Sequence, residues 1–302
     1  MPKASVARVL EGERLPARLG DLQEPPMRLY VHGELPRGPA VAIVGTRRAS
    51  GRSKRFTERL AAELCEAGVA VLSGGATGID RAAHDGALAA GGNTVVVAPA
   101  GLDRPFPEEH GAFFRQVVAA GGTYVSLVPD DVAATRGAFF ARNALLVALA
   151  HAVIVTETPH RSGSRNASSW ARRIGRPLFV VTHSPWHAPG GGAVAELRLG
   201  ALPLDRASDV LKLLSAAGLR GLPERAVAEP KQRAAAVSPQ LELPHLEEDP
   251  VLLAVRSGAC HVDEIAVRSG LPVGVIQERL LTLTLSGVLV PGPWGSVKLV
   301  TH

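Results

Sequence analysis

From residue 40 onward the apolar positions follow two alternating patterns. Short runs rich in β-branched residues (Val41–Val44, Val69–Ser73, Thr94–Ala98, Thr123–Leu127, Ala152–Thr156, Leu178–Thr182) alternate with stretches of helical composition at Arg52–Ala67, Ile79–Ala90, Glu109–Ala120, Arg142–Ala150 and Asn166–Ile174. Runs that are apolar on consecutive positions suit strands buried on both faces, and the alternation predicts a parallel sheet covered by helices. Gly68, Gly91-Gly92, Gly121-Gly122 and Gly175 stand where the helices should end. The fold class expected is α/β, with a Rossmann-like domain over 36–215.

Residues 1–35 lack this rhythm and are expected to add a partial strand and turns to that core. Residues 216–244 mix Pro, Ala, Gln and charges without sustained period and read as a linker. Beyond it, Pro250–Arg256, Val262–Ser269 and Val273–Ser286 have helical pattern, and Val288-Leu289-Val290 and Val297–Val300 flank a Pro-Gly-Pro turn. Three helices and a hairpin predict a small winged-helix domain over 245–302. Its second and third helices have helix-turn-helix spacing, yet the third carries a single basic residue, Arg279.

Two strand-to-helix junctions carry chemistry. Ser73-Gly74-Gly75-Ala76-Thr77-Gly78 precedes a helix that opens Ile79-Asp80-Arg81. A glycine turn before a helix lets a ligand approach the backbone and faces it with unpaired N–H groups, which predicts an anion site. The turn has neither the Lys-Ser/Thr pair of a Walker loop nor Gly-x-Gly-x-x-Gly spacing. Upstream, Gly45-Thr46-Arg47-Arg48 follows the strand Val41–Val44. Arginines at the carboxyl end of such a strand face the ligand crevice of an open α/β sheet. Backbone donors and guanidinium forks together suit a polyanion.

Charge sharpens this reading. The chain of 302 residues has a formal charge of +5, distributed as 0 over 1–35, +6 over 36–215, +1 over 216–244 and −2 over 245–302. The basic character therefore belongs to the middle domain, although only five of the 33 basic residues are Lys, a bias that base composition can also produce. With 46% apolar residues a large core is available, and no run is long enough to span a membrane. Two distant cysteines, Cys65 and Cys260, and no apolar stretch after Met1 suit a cytoplasmic protein without a Cys metal site.

Other groups were weighed against structural roles. Asp80 and His84 share one helix face but lack a third ligand or nucleophile, so they should tie the helix to its turn. His183, Ser184 and His187 lie in a Pro-rich loop without acidic partners. Of Phe139 and Phe140, one could stack on a base and the other join the core. Ser162-Gly163-Ser164 before a helix could contact phosphate or cap the helix. No catalytic residue, metal ligand or cofactor site is predicted.

Five segments in order, Val44–Arg47, Ser73–Asp80 with Ala83-His84 and Gly86–Leu88, Gly101–Asp103 with Phe106-Pro107, Phe139–Asn143 and Ser162–Ser164, resemble the DNA-processing protein A (DprA/Smf) family. The resemblance implies a cytoplasmic single-stranded DNA-binding recombination mediator that is not an enzyme, forms a homodimer, protects incoming DNA and helps load the RecA recombinase in natural transformation. It assigns DNA contact to Gly45, Thr46, Arg47, Ser73, Gly74, Phe140, Arg142 and Asn143, and no cofactor; Ser162, Gly163 and Ser164 join these candidates on the phosphate reading given above. The sequence departs from the family pattern at Ala144, Thr77 and Leu127, where the family carries Arg, Arg and Glu, and Arg136, Arg161 or Arg165 are candidates to restore the charge. The alternative from another class is a Rossmann-like nucleotide enzyme of the phosphoribohydrolase type, whose Pro-Gly-Gly-x-Gly-Thr-x-x-Glu string is missing. A transcription regulator acting through the winged helix is disfavoured by the acidic balance of 245–302.

Overall fold

The computed structural model describes residues 7–159, 163–181, 192–219 and 249–271, and within the C-terminal part positions 275, 276, 279, 280, 283, 288–291 and 297–299. The chain divides into two compact units, Met1–Pro230 and Lys231–His302. Most of the expected linker, and the loop with His183, Ser184 and His187, lie outside the described residues.

In the first unit, seven parallel strands form the body of one sheet: β3 (Ala40–Val44), β4 (Ala70–Ser73), β5 (Thr94–Ala98), β6 (Thr123–Ser126), β7 (Ala152–Val155), β8 (Leu178–Val181) and β9 (Leu202–Leu204). Two N-terminal strands extend it beyond β6: β2 (Arg28–His32) pairs antiparallel with β6, and β1 (Arg8–Glu11) antiparallel with β2. The order is β1-β2-β6-β5-β4-β3-β7-β8-β9. Successive strands move outward from β3 to β6 and then return to the other side of β3 with β7. The order therefore reverses beside β3, and a crevice opens where the connections leave in opposite directions.

The central strands β3 to β8 are buried at every position, which is why their sequences are apolar without alternation. On one face pack α1 (Gly51–Glu66), α2 (Ile79–Ala89) and α7 (Ala207–Ala216), through Leu60, Leu64, Ala83, Val210 and Leu214. On the other lie α4 (Arg136–Leu149) and α5 (Ser164–Arg173), through Leu145, Leu146, Leu149, Ala167 and Ala171. Helix α3 (Gly111–Ala119) covers β5 and β6 with Phe113, Phe114 and Val117, and α6 (Gly192–Arg198) follows β8. The expected helix-ending residues Gly68, Gly91, Gly121 and Gly175 all have positive φ.

One boundary corrects the sequence reading in a way that matters for the site. The helix expected at Arg142–Ala150 begins six residues earlier, at Arg136, because Thr135 caps it by accepting from the Ala138 N–H at 3.3 Å. Phe139, Phe140, Arg142 and Asn143 thus share one helix, and positions three and four apart point the same way. Phe139, Arg142 and Asn143 turn to the crevice, while Phe140 is 58% exposed.

In the second unit, α8 (Pro250–Arg256) and α9 (Val262–Ser269) coincide with the predicted helices, and β10 (Leu289–Pro291) pairs antiparallel with β11 (Val297–Leu299). Asp249 caps α8, accepting from the N–H groups of Val251 (2.8 Å) and Leu252 (3.2 Å). The same carboxylate ion-pairs with Arg279. The single base of the candidate recognition helix is thereby neutralised within its own unit.

Candidate nucleic-acid interface at the crevice

The crevice beside β3 holds a cavity of about 360 Å³. Its lining includes Gly45, Thr46, Arg47, Arg142, Asn143, Gly163 and Ser164, so it unites seven of the eleven sequence-predicted residues from three separate segments. Ser162 lies outside the described residues, as does Arg161. Ser73, Gly74 and Phe140 are placed elsewhere.

The first turn is fixed through both backbone polar groups of one residue, Thr46. The Thr46 N–H donates to the Glu157 carbonyl at 2.7 Å, and the Thr46 carbonyl accepts from the Ile79 N–H at 3.2 Å. These bonds lock the turn between the end of β7 and the start of α2, and leave the Arg47 side chain directed outward into the cavity. The Arg47 guanidinium carbon lies 5.9 Å from the ring centres of both Phe106 and Phe139. Those rings meet edge to face at 5.0 Å. Among the described residues no carboxylate is within ion-pair distance of Arg47; its charge acts on the buried Asp80 of the same cavity and rests beside the aromatic pair.

The second turn is built differently from what the sequence suggests. The Ser73 hydroxyl is fully buried and donates to the Ile43 carbonyl at 2.6 Å, tying β4 to β3. Gly74 is demanded by a close approach, because a Cβ there would sit 1.6 Å from Arg142 Nη1. Gly78 has φ of 84°, and a Cβ on it would meet the carbonyl oxygens of Thr46 at 2.3 Å and Arg47 at 2.6 Å. The glycines therefore admit the Arg142 guanidinium and the neighbouring turn, not a phosphate. Backbone donors at and ahead of the helix start are also engaged from within: the Ile79 N–H by the Thr46 carbonyl at 3.2 Å and the Ala76 N–H by Asp80 at 3.4 Å. Likewise Ser50 and Glu157 close the start of α1, accepting from Ser53 and Ser50 respectively. The expected backbone phosphate cradle is thus replaced by guanidinium groups.

Arg142 and Asp80 form the buried electrostatic centre of the site, 6% and 5% exposed. Burial pushes the Asp80 carboxyl above its ordinary value, and Arg142 pulls it back. Burial likewise lowers Arg142, against the pull of Asp80. Among the described residues, Nε of Arg142 has no hydrogen-bond partner. Asn143 donates to the Asn166 side-chain oxygen at 3.0 Å and joins α4 to α5. The Ser164 hydroxyl pairs with that of Thr158 at 2.7 Å, while Gly163 occupies the cap position of α5.

His84, the partner suggested for Asp80, belongs to the core. Its Nδ1 meets Thr94 Oγ1 at 2.8 Å, and that hydroxyl donates to the Val71 carbonyl, so Nδ1 carries the proton toward Thr94. Burial depresses the imidazole to about 3. Arg165 is engaged by the buried Glu196 at 3.1 Å. Phe106 and Asp80 were missed as site residues. The glycine turn concealed Asp80, and only the fold brings the 101–107 loop beside Arg47.

The family model for DNA recombination-mediator protein A matches residues 7–215, and that for the DprA winged helix domain matches 231–293. The chain belongs to the DprA family. It is 37% identical over 250 residues to a DNA processing protein DprA of Mycobacterium tuberculosis, an alignment covering 82% of this chain but only 61% of that relative. Protein Smf of Escherichia coli is 32% identical over 295 residues, covering 96% of this chain and 76% of Smf. A solved DNA processing protein A of Helicobacter pylori, described with a single-stranded DNA binding mode, superposes with a TM-score of 0.63 at 30% identity, covering 70% of this chain and 96% of that one. The family shares the mixed sheet and the C-terminal winged helix found here. Among the described residues no helix is long and apolar enough to cross a membrane, and no group of three or more His, Cys, Asp or Glu could hold a metal.

Proposed function

We propose that the chain binds single-stranded DNA in the crevice beside β3 and acts as a recombination mediator in the cytoplasm. The observation that carries the reading is Arg47, a guanidinium with no carboxylate within ion-pair distance among the described residues, set beside an edge-to-face pair of aromatic rings in the lining of a cavity that also holds Arg142. A strand without a complement offers both groups this arrangement recognises: phosphates for the guanidinium fork and unstacked base faces for the rings. A duplex offers the phosphates but keeps its bases stacked, and the crevice presents no helix or ribbon shaped for a groove. Supporting the reading, the Helicobacter relative is described as binding single-stranded DNA. By family resemblance the chain works as a homodimer, protects the strand and passes it to RecA without chemistry of its own.

Titration with single-stranded and duplex oligonucleotides of one length across a salt series tests this. Tighter binding of the single strand, with affinity falling as salt rises, is expected from counterion release. Equal affinity for duplex overturns the reading.

A further inference from the structure

Helix α1 starts at the crevice, directly after the turn that carries Arg47, and its charges run against the field of its own backbone. Its buried side is Ser53, Thr57, Leu60 and Leu64. Arg52, Arg55 and Arg59, spaced three and four apart, share the opposite side and are exposed, and Arg48 stands exposed in the turn ahead of them. The first turn of the helix holds no acid and the last holds no base, while the exposed Glu63 and Glu66 continue the same side toward the carboxyl end. A helix dipole favours acids at the amino end and bases at the carboxyl end. In the second unit α8 and α9 obey that rule, with Asp249 and Glu264 at their starts and Arg256 and Arg268 in their last turns. Base composition accounts for arginine in place of lysine, but it does not sort positive from negative along one helix. Helix α1 therefore gives up stability to keep a positive face beside the crevice, and a bound polyanion offsets that cost.

We propose that this face is a track for the single strand as it leaves the crevice, the phosphates of the flanking nucleotides following Arg48, Arg52 and Arg55. The inference rests on the single-strand reading above and extends it beyond the cavity. From Arg52 to Arg59 the helix advances about 10 Å, the length of about three phosphates in a strand that rises about 3.4 Å per nucleotide. Among the described residues no carboxylate lies within ion-pair distance of Arg48 or Arg55. Arg59, by contrast, approaches Glu63 at 4.0 Å and shares a hollow with Glu63 and Asp205. The acidic groups thus lie at the far end of the face, and the positive potential is strongest next to Arg47. A face of exposed arginines without a pocket holds phosphates and reads no base, so the track takes any sequence. An acidic protein segment is the competing occupant. The strand is favoured because the Arg47 turn and α1 are one continuous stretch of chain, so a strand held in the crevice meets this face as soon as it emerges.

The test compares the full-length chain with its variant Arg48→Gln/Arg52→Gln/Arg55→Gln by fluorescence anisotropy across a salt series, using thymine oligonucleotides of about six and about twenty nucleotides. A control variant removes the same charge from exposed positions elsewhere, Arg14→Gln/Arg37→Gln/Arg115→Gln. The α1 variant should bind the longer strand about five- to a hundredfold more weakly at about 0.1 M salt, the range for one to three lost phosphate contacts, and its salt slope should fall by about one to two. The shorter strand, held within the crevice, should lose no more than it loses in the control. Taking bases out of the first turn should leave the thermal midpoint at or above that of wild type, so weaker binding will not reflect a damaged fold. A lower midpoint overturns the premise that these charges oppose their helix. Equal losses at both lengths, equal losses in the control, or undiminished binding of the longer strand overturn the track, and the last of these leaves the face to an acidic protein or to solvent. Arg47→Ala separates that failure from a failure of the single-strand reading. If it weakens both lengths, the crevice reading stands without the track; if it weakens neither, both fall.

Discussion

At the first glycine turn, Gly45-Thr46-Arg47, the backbone bonds to its neighbours and the side chain of Arg47 faces the open cavity. At the second, Ser73-Gly74-Gly75, the side chain of Ser73 turns into the sheet and Gly74 lies beneath a buried guanidinium. Both follow a buried strand, both precede a helix, and their sequences suggest one shared task. The difference shows that a glycine before a helix has two physical uses, to let a ligand approach or to let another part of the protein approach. Only what occupies the space above it distinguishes them. Substitutions at the first turn should change binding and spare the fold, whereas substitutions around the second should first cost stability.

The largest expected effect is from Arg142→Ala. Removing one member of a buried charge pair leaves Asp80 uncompensated, a loss of about 3–5 kcal/mol measured by urea unfolding. The carboxyl then rises further above its ordinary value, since burial remains and Arg142 no longer opposes it. A group whose folded-state value is raised costs stability as pH rises through that interval. The deficit should therefore be smallest in acid and grow toward neutrality, and a deficit independent of pH would show that Asp80 and Arg142 are not coupled.

Gly78→Ala should follow, with about 3 kcal/mol lost from a left-handed backbone and a Cβ driven into the Thr46 and Arg47 carbonyls. Unfolding near wild-type stability would mean that the two turns are not in mutual contact.

Acid sensitivity sharpens the comparison further, because it belongs to the helix launched by the second turn. His84 is held at about 3 against an ordinary 6.5. Its folded-state value is depressed, so the unfolded chain takes up the proton first, and stability should fall as pH drops from about 6.5 toward 3. His151, at about 4, adds to the same decline. In His84→Gln the decline should become shallower without vanishing. Identical pH profiles would remove His84 as its cause.

The smallest effect on the fold is expected at the first turn. Arg47→Ala should leave the unfolding midpoint within about 0.5 kcal/mol of wild type, while lowering affinity for all strand sequences and reducing the salt slope by about one. Arg47→Lys should recover part of the affinity, the point charge without the planar fork. A folded Arg47→Ala protein with undiminished binding would assign this turn to structure as well.

Much of this was readable before any coordinates. The six core strands and the two winged-helix helices lie within a residue or so of their predicted bounds, since strands buried on both faces must be apolar throughout and the pattern admits no other placement. The start of α4 was misplaced because Thr135, an exposed polar residue in a loop, gives no apolar period to mark it. Phe140, which the resemblance assigns to DNA contact, is exposed outside the lining of the cavity, and Phe139 lines it.

Sequence by itself determined which segments are strands, which are helices, and that two glycine turns belong to a basic middle domain. These follow from local period, turn chemistry and charge, which act over a few residues. Tertiary structure decided what fills each turn. Arg142 reaches Gly74 across 68 positions of sequence, Glu157 receives the Thr46 N–H, and the loop of Phe106 closes on Arg47. Such contacts depend on the strand order that places β3 between β4 and β7, and no local propensity encodes that order.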